Sequence, residues 1–133
     1  YMVASPTVVT AANKVKRAFD VSIPAQEAAL ASLDAPEELA RRRALNAESR
    51  EQIAATLRAQ GWRVPDAVAN FVYADTGSDV RPLFEALLAQ GVIVRPLHGF
   101  GSDTAIRVTA GTPDENAFFA SALAHVRDGG QTR

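Results

Sequence analysis

Arg95 and Arg107 are the two residues of this chain whose type and setting point most directly to chemistry. Each lies between apolar neighbours, Arg95 in "VIVRPL" (92–97) and Arg107 in "AIRVTA" (105–110). That alternation is the pattern of a half-buried strand. The connection between the two runs, "HGFGSD" (98–103), is short enough for an antiparallel hairpin, which would set the two guanidiniums on neighbouring strands. Arginine keeps its charge at any ordinary pH, so an inward-facing one needs an anion or a set of acceptors. Two close together repel, and burying them without compensation is costly. A carboxylate or phosphate would supply that compensation, held bidentately by the guanidinium fork. Alternation also allows a second reading, in which both side chains turn to water as on any half-exposed sheet. Spacing alone leaves the two readings open.

The other reactive types assemble less. The glycines of "LHGFGSDT" (97–104) would let backbone approach a phosphate, but the strand-to-helix context of a phosphate loop is missing. The stretch reads as a flexible hairpin loop beside a site. His98 in that loop is of a residue type that can act as an acid or base near neutral pH, or simply faces solvent. His125 falls near the last turn of the C-terminal helix, where it meets the helix's negative end. Asn70 reads as a local turn at a strand start. Arg41, Arg42 and Arg43 stand among Glu37, Glu38 and Glu48, the mixture of a solvated helix face and not of a nucleic-acid patch. There is no nucleophile elbow, acid–base pair or metal cluster, so no catalytic or metal-ligating residue is assigned.

Composition narrows the classes further. The chain has 133 residues, 47% of them hydrophobic and 22% charged, with a net charge of -1. This is one domain's length, and the near-neutral balance argues against nucleic acid or an anionic membrane as main partner. There is no cysteine and there are only two histidines, which excludes disulfides and thiolate metal sites. No run has the apolar length of a membrane span and no signal peptide is apparent; a cytoplasmic location is the default expectation. Among 14 basic residues only Lys14 and Lys16 are lysines, and both fall on one predicted helix. The chain opens on Tyr1 inside the apolar run "YMVA"; an element starting at its own first residue suggests a fragment.

These residues require elements to hold them. "YMVA" reads as a short strand, stopped by Ser5-Pro6, which opens a helix to about Ala18. "FDVSIP" (19–24) breaks the pattern, and Pro24 opens a second helix. Asp34-Ala35-Pro36-Glu37 starts a long third one, ending near Gln60 before Gly61, with Glu37–Arg41 and Glu38–Arg42 at supporting spacing. After Gly61 the period changes. "WRV" (62–64) and "NFVYADT" (70–76) read as strands. A helix capped by Asp79 follows, with Val80, Leu83, Phe84, Leu87 and Leu88 as its apolar stripe. Strands 92–97 and 105–110 come next. Thr112-Pro113-Asp114-Glu115 then starts the last helix, with the threonine as N-cap and the glutamate to reciprocate. Its buried face is Phe119, Ala122, Leu123 and Val126, and the tail "DGGQTR" is expected to be disordered. No internal repeat is seen. The order β-β-α-β-β-α from residue 62 predicts an α+β two-layer sandwich, a small mainly antiparallel sheet with helices on one face, preceded by a long helix.

Beside this reading stands a resemblance. "ANFVYADTGS", "LLAQGVIVRPLHGFG" and "AIRVTAGTPDENAFFASAL" closely resemble the C-terminal part of histidinol-phosphate aminotransferases and their aromatic aminotransferase relatives. These are class I/II, fold type I, pyridoxal-phosphate enzymes. "YMVASPTVVTAANKVKRAFDVSIPAQEAALASL" is similar to the segment that follows their cofactor lysine, so the match covers nearly the whole chain. The resemblance implies residues 1–34 as the tail of a large α/β cofactor domain plus connector, and 35–133 as the small C-terminal domain. It implies that Arg107 binds the substrate's anionic end and that Arg95 helps hold a substrate phosphate. It further implies transfer of an amino group between histidinol phosphate or an aromatic amino acid and 2-oxoglutarate, a place in histidine or related amino-acid biosynthesis, and a homodimer. The lysine and arginine that hold pyridoxal 5'-phosphate lie upstream of Tyr1 in that family, and neither Lys14 nor Lys16 matches them. No catalytic or cofactor-binding residue is therefore expected in this chain, which alone should not transaminate. The alternative is a stand-alone module that binds an amino acid or oxo acid through the same arginines, without catalysis.

Overall fold

The structure is a computed structural model that describes residues 2–17 and 20–129. The chain divides into two units, Tyr1–Leu39 and Ala40–Arg133. In the first, α1 (Pro6–Val15) begins with proline in its opening turn, and α2 (Ile23–Leu33) is capped by Ser22, whose hydroxyl accepts a hydrogen bond from the Ala25 amide at 3.4 Å. Neither helix buries a residue. The strand expected at "YMVA" does not form over residues 2–4, because a strand needs a ladder partner and none of the described residues pairs with them. Tyr1, Ala18 and Phe19, which that reading also used, lie outside the described residues, as does the tail beyond Gly129. Asp128 and Gly129, expected in that tail, belong to the last helix.

The long helix, α3 (Pro36–Arg58), crosses the division between units. Its buried residues, Ser49, Ile53, Ala54 and Leu57, fall in its C-terminal half at the spacing of one face. The sheet follows as β1 (Phe71–Asp75), β2 (Arg95–Pro96) and β3 (Ala105–Thr109), in the order β1-β3-β2 with both pairings antiparallel. Between β1 and β2 runs α4 (Arg81–Ala89), and after β3 comes α5 (Pro113–Gly129). Val72 and Ala74 of β1 and Ile106 and Val108 of β3 join Ile53, Leu57, Leu87, Phe119 and Leu123 in one buried cluster. All three helices thus contribute to the core on one side of the sheet. That is the expected layer arrangement, with α5 burying Phe119, Ala122 and Leu123 as its spacing predicted, while Val126, expected on the same face, is only half-buried against the cluster.

Several expected elements shrink. "WRV" contributes a single bridge, Arg63 to Asp75, and only Arg95 and Pro96 of run 92–97 are strand. The reason for the second is local: the Val92 amide donates to the Leu87 carbonyl at 2.9 Å, so the chain is still closing α4 there, with Gly91 at φ 79 making the turn. Leu88, placed in the α4 stripe, is exposed. Asp79 does satisfy the helix start, accepting from the Arg81 amide at 3.0 Å, although Val80 occupies the cap position.

The start of α5 is the firmest local feature. The Thr112 amide donates to Glu115 Oε2 at 2.7 Å, and the Glu115 amide to Thr112 Oγ1 at 3.4 Å. This is the reciprocal capping pair read from the sequence. Gly111 just before it is required by space: a Cβ there would meet Glu115 Oε2 at 2.7 Å and Glu115 Cβ at 2.9 Å. Behind the turn the buried Asn116 accepts from the Gly111 amide at 3.0 Å and donates to Gln52 Oε1 at 3.3 Å, tying the end of β3 to α3.

Candidate functional site

The hairpin brings Arg95 and Arg107 together as direct cross-strand partners. On the other side of β3, Arg107 pairs with Tyr73. Alternation puts Arg107 on the face opposite Ile106 and Val108, and Phe71, Tyr73 and Asp75 on the same face of β1. On that face Phe71, Tyr73 and Asp75 are half-buried and Ala105 is buried. Arg107 is half-buried and Arg95 exposed. Both line an open pocket of about 490 Å³, together with Phe84, Pro96, His98 and Thr109.

The two arginines differ from others in the same unit. Arg58, Arg63 and Arg81 each have a carboxylate partner, at 3.0 Å, 3.0 Å and 2.8 Å respectively. Among the described residues neither Arg95 nor Arg107 forms an ion pair. Arg107 Nε is buried and has no hydrogen-bond partner. Leaving a buried donor unpaired costs about 1–3 kcal/mol, and more when it is charged. What Arg107 does have is the ring of Phe71, whose centroid lies 4.9 Å from its guanidinium carbon. Asp75 carries the negative charge on this face of β1, and it is engaged elsewhere. Its Oδ2 accepts from Arg63 at 3.0 Å and its Oδ1 from the Gly77 amide at 3.1 Å. The Arg63 bond first, and the Gly77 amide second, hold its carboxyl below the usual range. The pocket is therefore lined by two unpaired cations, a geometry that accepts one or two anionic groups.

A larger cavity of about 690 Å³ lies beside α5, lined by Ile53, Ile93 and Phe118 among others. Its charged residues are Asp114 and Glu115, the wrong sign for a carboxylate or phosphate.

The remaining candidates scatter. His98 sits in a 3-10 turn, His98–Phe100, and lines the arginine pocket. His125 is on the exposed side of α5, and Arg41, Arg42 and Arg43 are exposed on α3. Asn70 donates no side-chain bond of note, but its carbonyl accepts from the Ala110 amide at 2.9 Å and extends the β1–β3 pairing. Sequence reasoning missed Phe71 as a site residue. The signal was present only in part: alternation places it on one face with Tyr73, but its nearness to Arg107 depends on the β1–β3 register, in which Phe71 faces Thr109. Among the described residues no helix is long and apolar enough to cross a membrane.

The chain is similar to histidinol-phosphate aminotransferase 2 of Pseudomonas fluorescens, with 38% identity over 126 residues that make up 95% of this chain and 34% of that protein. It is similar also to the aromatic amino acid aminotransferase of Nocardia farcinica, 42% identical over 119 residues, 90% of this chain and 32% of that one. Among solved structures, histidinol-phosphate aminotransferase from Sinorhizobium meliloti in complex with pyridoxal-5'-phosphate superposes with a TM-score of 0.76 at 25% identity, covering 93% of this chain and 35% of that chain. The chain thus spans about a third of the length of the curated relatives it matches. The family described as aminotransferase class I and II matches residues 1–123, and with that the chain belongs to the class I and II aminotransferases.

Proposed function

We propose that residues 35–133 are the small domain of a pyridoxal-phosphate-dependent transaminase and that this domain supplies the substrate-anion site. Arg107 binds the α-carboxylate of the amino donor and of the oxo acid, and Arg95 contacts a second anionic group. Residues before about 35 serve as the tail of the cofactor domain and a connector. The single observation that carries this reading is Arg107: half-buried, its Nε without an acceptor, beside a second unpaired arginine in one open pocket. A bound carboxylate offsets the charge that the fold leaves without a counterion, at about 1.5–3 kcal/mol per charge-assisted bond.

The cofactor is a different matter. Its chemistry requires a lysine amine, and the residues lining the arginine pocket include none. Lys14 lies in the last turn of α1 and Lys16 is its C-cap, both in the Tyr1–Leu39 unit. These residues form no seat for pyridoxal phosphate, so the role assigned to this chain is on the substrate side: to bind the carboxylate and fix its orientation, a positioning contribution. Histidinol phosphate with 2-oxoglutarate is the leading substrate pair, since a phosphate suits a second arginine; an aromatic amino acid is the other, and a homodimer is the assembly expected.

Titrating the chain with succinate and with inorganic phosphate tests the assignment. R107Q is expected to weaken succinate at least tenfold, on the order of one lost charge-assisted bond, and R95Q to weaken phosphate more than succinate. Unchanged succinate affinity in R107Q would overturn the reading.

A further inference from the structure

We infer that Phe71 is a positioning residue for Arg107, holding the guanidinium plane so that its in-plane donors stay free for a ligand carboxylate. The inference rests on the reading of Arg107 as the anion-binding arginine and adds to it a residue that neither the motifs nor the family match assigns.

A guanidinium has two kinds of surface. Its edge carries five N–H donors, and its faces carry none. A carboxylate neighbour occupies the edge, as Asp79 does at Arg81 and Asp75 at Arg63. An aromatic ring attracts the cation through a face and leaves the edge open. Arg107 has the second kind of partner and not the first: Phe71 stands 4.9 Å away, and no acid pairs with it among the described residues. A site that must bind an incoming carboxylate needs this choice, since an internal acid would compete with the ligand.

The ring is itself fixed. Two residues before it, the Ala69 carbonyl accepts from Asn46 Nδ2 at 3.4 Å and from Arg50 Nη1 at 3.1 Å, both on α3. One residue before it, the Asn70 carbonyl takes the Ala110 amide. Phe71 then pairs with Thr109, which places it diagonal to Arg107 across the ladder. Arg107's direct partner on β2 is Arg95, whose like charge pushes it away along the face. The ring opposes that displacement. Phe71 is only half-buried and stands outside the core cluster, so its replacement separates positioning from folding.

The experiment follows the side-chain Nε–H resonance of Arg107 in the 133-residue chain, assigned by its loss in R107Q, while succinate is added. F71L is expected to move that resonance in the ligand-free chain, because the ring current is gone, and to weaken succinate about fivefold. The melting temperature should change little. F71W, which restores a π face, should recover much of the affinity; F71M, which fills the space without one, should behave as F71L does, so that no single ill-folding variant decides the matter. Wild-type succinate affinity in both F71L and F71M, or an Arg107 resonance that stays put, overturns the inference while leaving Arg107 as the anion binder. Undiminished succinate binding in R107Q overturns the anion reading instead, and the role of Phe71 falls with it.

Discussion

Ile106 and Arg107 are consecutive residues on one strand, and the two sides of the sheet they point to are finished in opposite ways. On Ile106's side, Val72, Ala74, Ile106 and Leu123 are fully buried, and the unit supplies every contact they need. On Arg107's side stand two unpaired guanidiniums, a buried Nε with no acceptor and an open pocket. Strand alternation makes the two faces chemically separable at single-residue resolution. One face is packed; the other holds the unpaired charges. Stability and ligand recognition should therefore respond to different residues of the same five-residue strand.

The largest effect should come from the covered side. I106A removes a fully buried side chain from the middle of the cluster, and such truncations cost about 2–5 kcal/mol depending on how far the cavity collapses. Denaturant unfolding of the chain reads this directly. One residue later the outcome should invert. R107L should leave stability within about 1 kcal/mol of wild type, because an unpaired charge is lost along with some packing. Succinate binding should fall by the equivalent of about 1.5–3 kcal/mol. A strongly destabilised R107L would mean that the arginine belongs to the fold and not to a ligand.

Much of the covered side was legible in the sequence because it is built from local, periodic signals. The stripe Phe119, Ala122, Leu123 follows helical spacing, and Thr112 to Glu115 announces its own cap. The short 98–103 connection made the Arg95–Arg107 neighbourhood readable too. What escaped was set by partners distant in sequence. Residues 92–94 have strand-like composition, yet Val92 is still bonded to α4 and the ladder holds only Arg95 and Pro96. "YMVA" has the same composition, and over its described residues no partner pairs with it. Asn116, one residue past the Thr112–Glu115 capping motif, had no role in the sequence reading; its bond to Gln52 on α3 could not be inferred from any local pattern. Phe71 needed the register of β1 against β3 before its ring could be placed over an arginine.

The junction between the two faces offers a smaller test. T112A removes the hydroxyl that accepts from the Glu115 amide and donates to Glu115 Oε2 at 2.9 Å. Loss of such a cap costs about 1 kcal/mol. Because the turn at Gly111 delivers the chain directly from β3 into α5, fraying should loosen the end of the strand beyond Thr109, seen as faster amide exchange at Ala110. Succinate affinity should change far less than in R107L. An equal loss in both would mean that the arginine pocket depends on the turn for its shape.

The smallest effect, and the one that probes the boundary most finely, concerns Arg63 and Asp75. Arg63 first, then the Gly77 amide, hold the Asp75 carboxyl below its usual range. A carboxyl with a folded value below its unfolded value of about 3.9 contributes stability that is fully present above that pH and disappears as the pH falls through the folded value. R63Q removes the main cause, so the wild type should be the more stable protein at neutral pH, with the gap closing in acid and shrinking in high salt because the pair is solvent-exposed. Equilibrium unfolding at a series of pH values checks the sign; a gap that widens in acid contradicts it. The same substitution reaches the ligand face. Asp75 pairs with Ala105, two residues from Arg107 on the same side of the ladder, a diagonal of about 7–8 Å that long side chains can span. Released from Arg63, its carboxylate becomes the internal competitor that the ring of Phe71 otherwise makes unnecessary. R63Q should therefore bind succinate more weakly at neutral pH, and the double substitution R63Q/D75N, which removes the carboxylate, should restore the affinity. If neutral-pH affinity is untouched, Asp75 does not reach the guanidinium, and the arginine pocket is kept free of acid by distance instead of by Arg63.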